Sequence, residues 1–190
     1  MAGWIVLLVK DGKRRMKKIL WMGAAWLALA GAPAMAIDGI AVEAGNGDHT
    51  DMGRIAVQWD WKKPLYQGTG WNLGGYWDVG LGYWHNGDFP NRNKSLTEIG
   101  LTPVFRFQNN SLIGLYGELG LGAHLQSDTT IGDKSMSTAF QFGSHIGVGY
   151  RFGVKQAFDL GVRYQHLSNA GIKKPNDGIN FAQVRLQYHF

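Results

Sequence analysis

From Ile37 to the terminal Phe190 the chain repeats one device: apolar residues take every second position, and small or polar residues take the positions between. A strand turns successive side chains to opposite faces, so a period of two predicts sheet and fixes which residues share a face. From Trp71 the odd positions hold Trp71, Leu73, Trp77, Val79, Leu81 and Tyr83, against Asn72, Gly74, Tyr76, Asp78, Gly80 and Gly82. The same split sets Phe140, Phe142, Ile146, Val148, Tyr150 and Phe152 against Gln141, Gly143, His145, Gly147, Gly149 and Arg151. It also sets Ile113, Leu115, Leu119 and Leu121 against Tyr116, Glu118, Gly120 and Gly122. Extended along the chain, the rule predicts eight strands near residues 38–46, 53–62, 71–84, 96–107, 112–125, 137–152, 157–168 and 179–190.

The polar face of these strands gathers Glu43, Asp78, Glu98, Glu118 and Asp159 with Arg54, Arg106, Arg151, Arg163 and Arg185, a set matched in charge. A soluble sandwich would bury the apolar face, but it would not normally oppose that core with a charged face in every strand. A membrane barrel turns the apolar face to lipid and satisfies the polar face inside. The connections agree, alternating short ones (108–111, 153–156) with longer polar ones (85–94, 126–136, 169–178). The fold class expected is therefore all-β, an eight-stranded antiparallel transmembrane β-barrel of the bacterial outer membrane. The last strand ends on Val184, Leu186, Tyr188 and Phe190, and a terminal Phe closing an alternating strand resembles the assembly signal of such barrels.

Residues Met16 to Ala36 run from a basic start through an apolar stretch to Ala34-Met35-Ala36, the pattern of a secretory signal peptide. The apolar run Ile19–Ala30 is short for a spanning helix, which needs about 20 residues. The division expected is a signal peptide over 1–36, with Met16 an alternative start, and one barrel domain over 37–190. Six of the 19 Lys+Arg (Lys10, Lys13, Arg14, Arg15, Lys17 and Lys18) and one of the 14 Asp+Glu (Asp11) precede Ile37, which leaves the remainder balanced. The basic surplus thus belongs to the leader, and nucleic-acid binding loses its main support. With no cysteine, neither a disulfide nor a thiolate nor a cysteine-built zinc site is available.

In the seventh strand Phe158, Leu160, Val162, Tyr164, His166 and Ser168 share the outward parity, opposite Asp159, Gly161, Arg163 and Gln165. Two residues apart on a strand, the Cβ atoms of His166 and Ser168 lie about 6–7 Å apart, within reach of an imidazole for a hydroxyl. A histidine on a lipid-facing wall is costly away from the interface, so it asks for a reason; an interfacial polar girdle is the plainer one. With the N-terminus on the periplasmic side, the seventh strand runs outward and carries both residues to the outer rim.

The run from His166 to Ile179, HLSNAGIKKPNDGI, resembles the signature of the lipid A 3-O-deacylase (PagL) family. The likeness extends to Val57-Gln58-Trp59-Asp60-Trp61, Gly75-Tyr76-Trp77-Asp78 and Leu101-Thr102-Pro103-Val104-Phe105, and so spans essentially the whole mature chain. The resemblance implies Ser168 as nucleophile, His166 as general base, and the side chain of Asn176 with the backbone N–H of Gly171 as oxyanion donors. It also implies an acid on the final strand that orients the histidine; Asn180 stands at that position. An amide oxygen can still accept the imidazole N–H, as in Cys-His-Asn enzymes, but it carries no charge. Either the enzyme is weaker for that loss or Asp177 helps from the loop, and Asn180→Glu is expected to raise activity. Without the resemblance, Pro175-Asn176-Asp177-Gly178 is simply a good turn.

The function expected is hydrolysis of the 3-position acyl ester of lipid A on the outer wall, without metal or organic cofactor. The partners expected are lipid A or lipopolysaccharide and the outer membrane, with a homodimer allowed and no nucleic acid. Lys173 and Lys174 stand beside the candidate site and could meet lipid A phosphates, although a solvated loop charge is the commoner explanation. The other histidines carry no metal-ligand spacing: His124, His145 and His189 face inward, and His49 and His85 lie in loops. The rivals are a non-catalytic structural or adhesive barrel, and a phospholipase or acyltransferase using the same machinery. A solute channel fits poorly, because side chains just fill an eight-stranded interior.

Overall fold

The computed structural model describes residues 36–190, so the leader expected over 1–36 lies outside the described residues but for Ala36. Eight long strands follow: β1 (Gly39–Gly47), β2 (Thr50–Asp60), β3 (Trp71–His85), β4 (Ser95–Asn109), β5 (Gly114–Gln126), β6 (Phe140–Phe152), β7 (Phe158–Ser168) and β8 (Ile179–His189). Each pairs antiparallel with the next, and β8 pairs with β1 through Gly39↔His189 to Asn46↔Ala182, which closes the barrel. Closure satisfies the backbone without an edge, the condition for crossing a bilayer with strands.

The burial pattern is that of a protein turned inside out. Val42, Leu121, Ile146 and Val162 are exposed on the wall, while all five acids and five arginines of the polar face are buried in the interior. There four of the acids pair with four of the arginines, while Glu98 pairs with His124 and Arg151 donates to the Gln156 carbonyl. Glu118 accepts from Arg106 Nη2 (2.8 Å), from Arg163 and from the Tyr76 hydroxyl (3.1 Å); Asp159 accepts from Arg106 Nη1 (2.6 Å) and the Tyr116 hydroxyl (2.7 Å). Arg54 and Arg185 share Glu43 and Asp78. Buried charges are tolerable only when paired and hydrogen-bonded in this way.

At the end of the barrel that carries the longer loops, the interior changes character. Met52, Trp84, Leu96, Leu167, Ile179 and Phe181 join Ile131 and Met136 from the 127–139 loop in a buried apolar cluster. Trp84 meets Phe181 edge to face, with ring centroids 4.9 Å apart. That loop also contains a two-stranded ribbon, Thr130–Ile131 against Lys134–Ser135, which the alternation did not predict. The cluster caps the polar interior and supplies a rigid floor for the loops above it. The predicted strands sit within about three residues of the observed ones. The largest differences at this end are three residues: β6 starts later, at Phe140, and β2 starts earlier, at Thr50, because Asp48 and His49, both at positive φ, make a two-residue hairpin.

Candidate active site

Strands β7 and β8 define the site through their register. His166 pairs with Asn180 and Leu167 with Ile179, while on the other side His166 pairs with Ser144 of β6 and Ser168 with Phe142. Asn180, His166 and Ser144 thus form one polar row across three neighbouring strands, on the outer wall. Ser168 lies one step nearer the loops. Between them the inward Leu167 and Ile179 are fully buried in the apolar cap, so the strand ends carrying the site are anchored from within.

His166 Nδ1 lies 2.8 Å from Asn180 Oδ1. The amide is oriented by its other end, since Asn180 Nδ2 donates to Asp48 Oδ2 at 3.3 Å and the Asn180 backbone N–H donates to the same oxygen at 2.8 Å. Asn180 therefore presents its oxygen to the ring, Nδ1 carries the proton, and Nε2 is left with its lone pair. That is the tautomer a general base needs.

Gly178 leaves the space beside His166 and Ser168 free of a side chain. It is buried at φ +63°, and a Cβ there would lie 3.0 Å from His166 Cε1 and 3.5 Å from the Ser168 Cβ. A side chain at 178 would thus crowd both residues at once, and only glycine combines that conformation with that closeness.

The 169–178 loop is held by Asn169, whose role the sequence did not reveal. Its Nδ2 donates to the carbonyls of Met136 (2.7 Å) and Lys173 (2.8 Å), its Oδ1 accepts from Gly171 N–H (2.9 Å), and its own N–H donates to Asn176 Oδ1 (3.0 Å). With Oδ1 so engaged, the Asn176 side chain offers its NH2 group as donor. The Gly171 N–H already has an acceptor, so a developing oxyanion would have to share it. Asp177 is committed elsewhere: its Oδ2 accepts from Ser135 N–H at 2.7 Å. The carboxylate that reaches Asn180 is instead Asp48, in the β1–β2 hairpin. Lys173 and Lys174 are exposed on the loop.

Beside His166 and Ser168 the wall is dented. The small outward residues Ala123 and Ser144 sit among Trp77, Leu101, Leu121 and Phe142 and leave a groove of about 620 Å³. It is mostly apolar and opens to the outside of the barrel, a shape for a hydrocarbon chain rather than a solute. Among the described residues no group of three or more His, Cys, Asp or Glu is placed to hold a metal ion.

A family model described as Lipid A 3-O-deacylase (PagL) matches residues 51–189. The lipid A deacylase PagL of Pseudomonas aeruginosa is 36% identical over 167 residues, covering 86% of this chain and 94% of that protein. The protein of the same name from Bordetella bronchiseptica is 34% identical over 180 residues, covering 88% and 94%. The crystal structure of the outer membrane enzyme PagL superposes with a TM-score of 0.73 at 30% identity, over 80% of this chain and 99% of that one. On these matches and on its barrel, the chain belongs to the lipid A 3-O-deacylase (PagL) family.

Proposed function

We propose that the protein is a lipid A 3-O-deacylase that works on the outer wall of its barrel by a serine–histidine mechanism. The observation that carries this is the His166–Asn180 hydrogen bond of 2.8 Å, which leaves Nε2 free on the wall that Ser168, two positions along the same strand, also faces. Lipid A diffuses laterally until one acyl chain lies in the groove beside Phe142. The Ser168 hydroxyl attacks the ester carbonyl carbon while Nε2 takes its proton; Asn176 and a shared Gly171 N–H receive the charge that develops on the carbonyl oxygen. Collapse breaks the bond to the sugar oxygen, which leaves with the proton returned from His166. Water, deprotonated by His166 in turn, then hydrolyses the acyl-serine and frees the fatty acid.

The long-loop end faces the outer leaflet, and residues 1–36 act as a leader removed on export. Lys173 and Lys174 stand where the phosphates of lipid A would arrive. A homodimer would have to leave the β6–β7–β8 wall open to lipid.

Mass spectrometry of lipid A from cells expressing the protein tests the proposal, with Ser168→Ala beside it and barrel assembly checked by heat-modifiable gel migration. Loss of one 3-linked chain with the intact protein alone is expected. Unchanged lipid A despite an assembled barrel would overturn the assignment.

A further inference from the structure

The residue that pairs with His166 carries no charge, yet a carboxylate stands directly behind it. Asp48 Oδ2 accepts both the backbone N–H (2.8 Å) and the side-chain NH2 (3.3 Å) of Asn180, and Asn180 Oδ1 faces His166 Nδ1 at 2.8 Å. The contact joins residues far apart in sequence and is built by two local features. Asp48 and His49 adopt φ of +50° and +61°, which makes the tight hairpin. Gly47 lets that hairpin lie against β8, since a Cβ at 47 would fall 1.8 Å from the Asn180 carbonyl oxygen.

We propose that Asp48 is a positioning residue of the deacylase, supplying through Asn180 the negative charge that Asn180 itself lacks. The proposal rests on the Ser168–His166 reading given above. A carboxylate accepts hydrogen bonds and cannot donate them, so an ionised Asp48 holds the Asn180 amide with its NH2 toward the hairpin and its oxygen toward the ring. The amide then fixes the proton on Nδ1, and its polarised oxygen stabilises the imidazolium formed during attack. The other Asp48 oxygen faces Lys134 Nζ of the loop ribbon at 3.5 Å, and the pair is partly exposed. Burial raises the Asp48 carboxyl, but the Asn180 hydrogen bonds and the Lys134 charge outweigh it and hold the group below the usual carboxylate range. Asp48 therefore acts as an anion at neutral pH.

The same geometry alters what a direct acid at position 180 would do. The introduced carboxylate in Asn180→Glu would meet Asp48, which now accepts from that position, and the two would repel. Asn180→Glu gains its charge on His166 only once Asp48 is neutral.

The test uses the full chain assembled in detergent with lipid A in mixed micelles, following acyl release. Asp48→Asn and Asp48→Gly both suit a left-handed turn position, so the hairpin survives in each. Both should lower kcat by roughly ten- to a hundredfold, the loss seen when an outer-shell partner is removed, with KM changed less than about twofold. Asp51→Asn, two strand positions beyond the turn, should change neither. Asp48→Asn combined with Asn180→Glu should be more active than Asn180→Glu alone. Unchanged kcat in both Asp48 variants, or a double variant no better than Asn180→Glu, would overturn the proposal. Ser168→Ala and His166→Ala run in parallel: if they abolish release while the Asp48 variants do not, only the role of Asp48 fails. If they retain release, the serine–histidine reading fails and the role of Asp48 with it.

Discussion

Gly178→Ala should slow catalysis in a barrel that still assembles. Two costs follow from the structure. The residue is at φ +63°, where an L side chain costs about 1–2 kcal/mol, and this falls on a loop rather than on the closed sheet. The second cost is positional. The new Cβ would lie 3.0 Å from His166 Cε1, and ordinary contact begins at 3.4 Å, so the imidazole must move by roughly 0.4 Å. Its Nδ1 is tied to Asn180, so the shift is felt at Nε2, the atom proposed to take the serine proton. A misplacement of about 1 Å costs on the order of a hundredfold, and scaled logarithmically a 0.4 Å shift costs roughly sixfold in kcat. The assay is steady-state acyl release from lipid A in mixed micelles, beside the urea midpoint of the assembled barrel. A five- to tenfold fall in kcat is expected, with the urea midpoint lowered by no more than the about 1–2 kcal/mol of backbone strain allows. Full kcat would refute the view that the missing side chain at 178 decides where the imidazole sits.

Ser144 lies directly across the strand from His166, so Ser144→Ala asks which hydroxyl reacts; it should keep most of the activity that Ser168→Ala loses, as read by acyl release. Asn169→Ala removes the side-chain hydrogen bonds to the Met136 and Lys173 carbonyls and from the Gly171 N–H, and should lower kcat at least tenfold while a heat-modifiable gel still shows an assembled barrel. Glu118→Gln leaves Arg106 and Arg163 undercompensated in the interior and should cost about 3 kcal/mol, read as a lower urea midpoint. Because the Asp48 carboxyl is held below its ordinary range, its charge is present above the unfolded value near 4 and is lost only as pH falls through the lower folded value. The ratio of wild-type to Asp48→Asn activity should therefore stay constant from about pH 5 to 8, measured as kcat at each pH.

The period-two pattern by itself determined the barrel. It divided every long strand into a lipid face and an interior face, and all ten charges it placed inside are buried there. It also put His166 and Ser168 on the same outward face, because parity along one strand is a local property that needs no knowledge of neighbours. What only the tertiary structure decided were the contacts between distant segments. The pairing of β1 with β8 brings Asp48 to Asn180; the fold of the 127–139 loop brings Met136 to Asn169 and Ser135 to Asp177. The apolar cap escaped the alternation because its members come from strand ends and from a loop with no period. A carboxylate 132 residues from its partner leaves no trace in any window of sequence. Register and barrel closure are global properties of the sheet, and they decided which acid stands behind the histidine's partner.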